Sequence, residues 1–119
     1  MSNAVRESIA VVTAADGSAT AYSTTVFTGR VVNVIYTKTD YTDGVDFTIT
    51  AESTGLSLWT DTNINATEIV APVQAANIGG TGAASALTEV PVYLANERVK
   101  IVIAAGGATK TGTFTIVVA

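Results

Sequence analysis

The sequence predicts an all-β chain: an antiparallel two-sheet sandwich of about eight short strands, jelly-roll or immunoglobulin-like, in one domain over residues 1–119. Three observations carry this expectation. The first is composition. There are 20 Thr, 16 Val and 9 Ile against only 4 Leu. Side chains branched at Cβ suit a pleated strand better than a helix. The second is period: Val45, Phe47, Ile49 and Ala51 alternate with Asp46, Thr48, Thr50 and Glu52. The third is punctuation, with turn signals roughly every 8–12 residues.

The elements follow in order. Val5–Ala14 is a first strand, with Ile9, Val11 and Val12 as its apolar content, and Asp16-Gly17 is a strong turn dipeptide. Ala19–Phe27 is a Thr-rich second run, and Gly29 marks a bulge or bend after it. Arg30–Thr39 is more continuously apolar and is expected to be central. Asp43-Gly44 reads as a hairpin turn into the alternating Val45–Glu52 segment, which Gly55 closes. Leu56–Trp59 is a short strand, followed by a polar loop over Asp61–Asn65. Glu68–Ala75 is interrupted by Pro72 and reads as an edge. Asn77–Thr88 is the most loop-like stretch. Val90–Ala95 contains Pro91 and is a second edge candidate. Arg98–Ala104 alternates, Gly106-Gly107 opens a hairpin loop, and Thr111–Val118 alternates again.

Absences bound the chemistry. The chain has no Cys and no His. That removes disulfides, thiolate nucleophiles, thiolate or imidazole metal ligation, and the usual neutral-pH base. An enzyme is not expected, and no cofactor is. The net charge of −4 comes from ten acids and six bases. Scattered cations make no basic stripe, so neither nucleic acid nor a membrane is an expected partner. The apolar stretch Ile9–Val12 is shorter than the roughly 7–15 residues of a secretory signal. The expectation is a soluble chain made in a cytoplasm.

Three motifs invite a functional reading. Asp40, Asp43 and Asp46 surround one glycine turn, and three carboxylates there suggest calcium, a hard cation that takes oxygen ligands. Their spacing does not match an EF-hand, and Asp is also the ordinary residue of turns. Gly79-Gly80-Thr81-Gly82 lacks the lysine and the helix of a phosphate loop. Among the aromatics, Trp59 closes an apolar strand and is expected in the core. Tyr41 and Tyr93 sit beside turn or edge residues and are candidates for protein contact.

Three segments form a recognisable set. They are Asp40-Tyr41-Thr42-Asp43-Gly44-Val45-Asp46-Phe47-Thr48-Ile49-Thr50, Asn65-Ala66-Thr67-Glu68-Ile69-Val70-Ala71-Pro72-Val73-Gln74 and Ala95-Asn96-Glu97-Arg98-Val99-Lys100-Ile101-Val102-Ile103-Ala104-Ala105-Gly106-Gly107. From about Asp16 onward the chain resembles small proteins encoded among the head and neck genes of tailed bacteriophages. The resemblance lies in texture and short motifs, and it supplies no catalytic residues. It implies a virion structural part such as a capsid decoration or cement protein. The implied setting is the virion capsid, after synthesis in the bacterial host cytoplasm. The implied partners are the major capsid protein or other virion proteins, in a homo-oligomer. Residues 1–9 as an N-terminal arm and the 77–88 loop, with Ile78 and Leu87, are the expected contact elements. The alternatives are a neck or tail component, or a host-facing carbohydrate- or calcium-binding module.

Overall fold

The computed structural model describes residues 4–74, 82 and 89–119. Eleven strands appear among them. They are β1 (Val5–Val12), β2 (Ala19–Tyr22), β3 (Phe27–Lys38), β4 (Val45–Ala51), β5 (Ser57–Ile64), β6 (Glu68–Val70), β7 (Val73–Gln74), β8 (Val90–Pro91), β9 (Tyr93–Glu97), β10 (Val99–Ala104) and β11 (Thr111–Val118). One sheet runs β1-β11-β3-β6, with β9 also paired to β3. The other runs β2-β10-β4-β5, and β7 and β8 form a separate ribbon. Every strand pair is antiparallel. The chain is therefore an all-β sandwich.

The nine strand segments read from the sequence become eleven because two runs that contain proline are divided. Pro72 separates β6 from β7, and the break after Pro91 separates β8 from β9. Gly29 lies inside β3 at φ +132°, where an added Cβ would meet Ala119 O at 2.6 Å. The bend there lets one strand serve two neighbours: Phe27–Arg30 pair with β9, and Val34–Tyr36 pair with β6. Residues 5–9 are not a free arm, because Val5–Val12 pair without a break against Val118–Thr111. The polar segment at 61–64 is also strand rather than loop. It pairs with β4 through two register shifts, and Asn63 takes φ +58°.

The glycine turns correct another expectation. Asp16-Gly17, Asp43-Gly44 and Gly106-Gly107 are not hairpins. Each carries the chain from one sheet to the other: β1 to β2, β3 to β4, and β10 to β11. Gly17, Gly44 and Gly107 do adopt positive φ, so the local turn chemistry is as expected. That chemistry reverses the chain without choosing the sheet it enters. The direct hairpin in the main sheets is β4–β5, with Gly55 in its turn.

Alternation explains the core. β4 points Val45, Phe47, Ile49 and Ala51 inward, and β10 points Val99, Ile101 and Ile103. From the opposite sheet come Val11, Val31, Val34, Tyr36, Phe114, Ile116 and Val118. Phe47 is the hub. Its ring lies 4.7 Å from Tyr36, 4.9 Å from Phe114 and 5.4 Å from Trp59, all at steep interplanar angles. Edge-to-face contacts of this kind add about 0.5–1.5 kcal/mol beyond area burial. Trp59 is 7% exposed, in the core as its sequence position suggests.

Gly112 makes room for this cluster. It sits on the inward face of β11, and a Cβ there would overlap the edge of the Tyr41 ring and approach Tyr36 Cε1 at 2.9 Å. Its φ lies outside the left-handed region, so space rather than backbone freedom demands glycine. Overpacking a core costs about 1–3 kcal/mol. Gly112→Ala is expected to lower the urea-unfolding free energy by that amount, with the slope of the transition unchanged.

Candidate functional site

The sequence singles out the end of the sandwich that holds Asp40, Tyr41, Asp43 and Asp46. The structure gives each of these residues a separate partner. Asp40 Oδ1 accepts the Thr111 N–H at 2.5 Å, tying the β3–β4 corner to the start of β11. Asp43 pairs with Lys38, whose Nζ also donates to the Asn65 carbonyl at 3.0 Å. Asp46 Oδ1 accepts the Asn63 N–H at 3.0 Å. Gly44 N donates to Asn65 Oδ1 at 2.7 Å. The two polar segments that looked like separate loops thus form one hydrogen-bonded junction. Among the described residues no three acidic side chains converge where a metal ion could be held.

Tyr41 is not a surface contact. It is 2% exposed, and its hydroxyl donates to the Val11 carbonyl at 2.6 Å. Burial drives its phenol pKa above the ordinary range, and the neighbouring Tyr36 adds to the effect. The residue looked peripheral because it adjoins the Asp43-Gly44 turn. That turn instead folds Tyr41 beneath β1, with its ring 6.0 Å from Tyr36 and nearly parallel to it. The Tyr36 hydroxyl is buried, with no hydrogen-bond partner among the described residues. Tyr93 is 58% exposed on β9 and remains available for contact. Ile78 and Leu87, with the rest of the 77–88 loop apart from Gly82, lie outside the described residues.

The opposite end holds two carboxylates that the sequence reading passed over. Glu97 is only 3% exposed. Its Oε1 accepts the N–H groups of Ser53 and Thr54 at 2.9 and 3.1 Å, and its Oε2 accepts the Ala95 N–H at 3.2 Å. Burial pushes its pKa up, but these donors and the Thr54 hydroxyl outweigh burial and hold it below the usual value. Glu7 does the same for the corner after β2. It accepts Thr24 N–H at 2.9 Å and Thr25 N–H at 2.7 Å, and its pKa is lowered because those bonds outweigh desolvation. Nearby, Glu52 holds Arg98 in a two-point ion pair, and the Arg98 guanidinium lies 4.6 Å above the Tyr22 ring. A signal for both inward-facing acids was present. Glu97 continues the inward series Val99, Ile101 and Ile103, and Glu7 continues Ile9 and Val11.

The acidic groups at both ends are therefore spent on the fold. The remaining candidate is a surface, the outer face of the β1-β11-β3-β6 sheet. Registers place Ala10, Thr113 and Thr37 in one row across it, and Ser8, Thr115, Ile35 and Ile69 in the next. Val12 and Thr111 extend the face at one end, and Arg6, Val117 and Asn33 form the row at the other. Ser8 Oγ and Thr115 Oγ1 share a hydrogen bond of 2.9 Å, and Thr115 is 7% exposed although it points outward. Ile69 is 65% exposed. The Ala10 and Ser8 rows carry no charge; the charges of this face lie at one end, where Arg6 stands in the Val117–Asn33 row and Arg30 is nearby. The outer face of the other sheet differs, since Lys100 and Asp46 interrupt it. No known protein family, curated protein or solved structure matches the chain.

Two measurements check these assignments. Tyr41→Phe is expected to cost about 1–2 kcal/mol through the lost bond to Val11, whereas Tyr36→Phe costs less than that, both read by urea unfolding. Glu97 and Glu7 have lowered folded-state pKa values, so their stabilisation is present above the ordinary carboxylate value of 4.5 and is lost as pH falls through the lower folded values. Glu97→Gln is expected to cost about 1–3 kcal/mol at neutral pH and to flatten the acid limb of a stability–pH profile.

Proposed function

We propose that this chain is a non-enzymatic structural protein of a bacteriophage virion, a capsid decoration or cement protein that stabilises the head by protein–protein contacts. One observation carries the reading: the outer face of the β1-β11-β3-β6 sheet, whose central rows are uncharged and made of Thr, Ser, Ala and Ile, with Arg6 only in the end row beside Val117 and Asn33. Such rows can be covered by another protein without stripping water from an ion, which is the costly part of burying polar surface. The resemblance of residues 40–50, 65–74 and 95–107 to small phage head and neck proteins supports the same setting.

Size shapes the mode of action. Four strands about 4.8 Å apart and about seven residues long give a face of roughly 450 Å². A stable pairwise interface takes about 800 Å² per partner. The face alone is therefore a weak binder, and a part that is repeated many times on a lattice or held in a homo-oligomer gains the rest by avidity. Arg6 and Arg30 at one end would favour acidic side chains opposite them.

A cryo-EM map of particles from the phage encoding this chain tests the proposal. The expected result is density for the sandwich at threefold or quasi-threefold capsid positions, with this face turned toward the shell. A ring at the portal vertex would reassign it to the neck, and absence from purified particles would overturn the virion reading. Thr113→Glu is expected to reduce incorporation several-fold while shifting stability by no more than about 0.5 kcal/mol.

A further inference from the structure

The edges of the two sheets are not alike. β2 has four residues and β6 has three, too short to template a partner. β5 is broken by two register shifts and by Asn63 in the left-handed region. β9 has a register shift and a left-handed Asn96. These are among the devices by which sheet proteins prevent edge-to-edge pairing. β1 is neither short nor interrupted, and its charges are limited to Arg6 and Glu7. Its eight residues pair with β11 in one unbroken register, it contains no Pro or Gly, and among the described residues β11 is its only strand partner.

The backbone polarity of that edge can be read from one bond. Thr13 N donates to Lys110 O at 2.8 Å, so residue 13 bonds toward β11. Antiparallel alternation then gives Val11, Ile9, Glu7 and Val5 to β11. It leaves the N–H and C=O groups of Arg6, Ser8, Ala10 and Val12 directed away from the sheet. The side chains at those four positions are exposed.

We propose that this edge pairs antiparallel with β1 of a second copy, about a twofold axis through Ile9, to join two sandwiches into one continuous sheet. The sequence of β1 is self-complementary in that register. Arg6 falls opposite Val12 of the second copy, and Ser8 opposite Ala10, so all four outward backbone positions on each strand are used. Glu7 falls opposite Val11. No like charges face one another. A parallel pairing would set Arg6 against Arg6, and shifting the axis to residue 7 would set Glu7 against Glu7, both unfavourable. Glu7 is also already committed to Thr24 and Thr25, on the inner side of the strand. The inference rests on the β1 edge alone and not on the virion setting.

Sedimentation equilibrium of the whole chain over a wide concentration range reads the association directly, and a monomer throughout would overturn the proposal. Ala10→Pro removes an outward N–H without touching the bonds to β11, and is expected to weaken dimerisation roughly tenfold or more. An unchanged dimer in a folded Ala10→Pro variant would place the interface elsewhere. Single cysteines decide the matter even if that variant fails to fold, because the chain has no cysteine of its own. In the proposed register the two Ile9 Cα atoms form a non-hydrogen-bonded pair about 4.5 Å apart, within disulfide reach. The two Val5 Cα atoms lie about 26 Å apart. Ile9→Cys is therefore expected to form disulfide-linked dimers on oxidation, and Val5→Cys is not. Cross-linking at Val5 in preference to Ile9 would overturn the register.

Discussion

The structure depends on how closely two sheets can approach where aromatic rings meet. Phe47 contacts Tyr36, Phe114 and Trp59 at once, and Tyr41 closes the cluster by bonding to Val11. None of this fits unless β11 lacks a side chain at 112. The constraint reaches outward from there. Seating Tyr41 fixes the course of the β3–β4 corner, and with it the partners of Asp40, Asp43 and Asp46. What resembles a cation loop in sequence is the fastening of an aromatic plug.

Both ends of the sandwich solve the same problem. Turns, corners and register breaks leave N–H groups without ladder partners, and those donors need acceptors. At one end Asp40 and Asp46 accept such groups, and at the other Glu7 and Glu97 do. With Asp16 at Ser18 and Asp61 at Thr62, six of the ten acids act as backbone acceptors, and Asp43 and Glu52 are engaged by Lys38 and Arg98. The acidity that suggested calcium is largely the chemistry of corner closure. It also leaves the central rows of one sheet face free of charge, with Arg6 confined to the end row.

Much of the fold was legible because period and composition are local properties. The alternation of Val45–Glu52 and Thr111–Val118 named the inward residues correctly, and Trp59 fell in the core. The topology was not legible. A dipeptide such as Asp43-Gly44 encodes positive φ, and positive φ serves a hairpin and a sheet-switching corner equally well. Tyr41 was misplaced for the same reason, since turn adjacency says nothing about what packs over the turn. Glu97 and Glu7 were legible in principle. Extending the two-residue period by one step puts both inside, but a charged residue ends a hydrophobic run when the eye looks only for apolar positions. The uncharged rows of the outer face needed the register of four strands, and three of those strands are far apart in sequence.

The pairing of Val5 with Val118 has a kinetic consequence. The first strand finds its partner only in the last, and β3 must wait for that same strand to be covered on its other side. Closing loops of this length is entropically slow, and folds dominated by such pairings take milliseconds to seconds rather than microseconds. During synthesis β1 leaves the ribosome before the other strands described and lacks its β11 partner until that strand follows. The strand with the least protected edge in the finished sandwich is thus also the one exposed longest while the sandwich is being made.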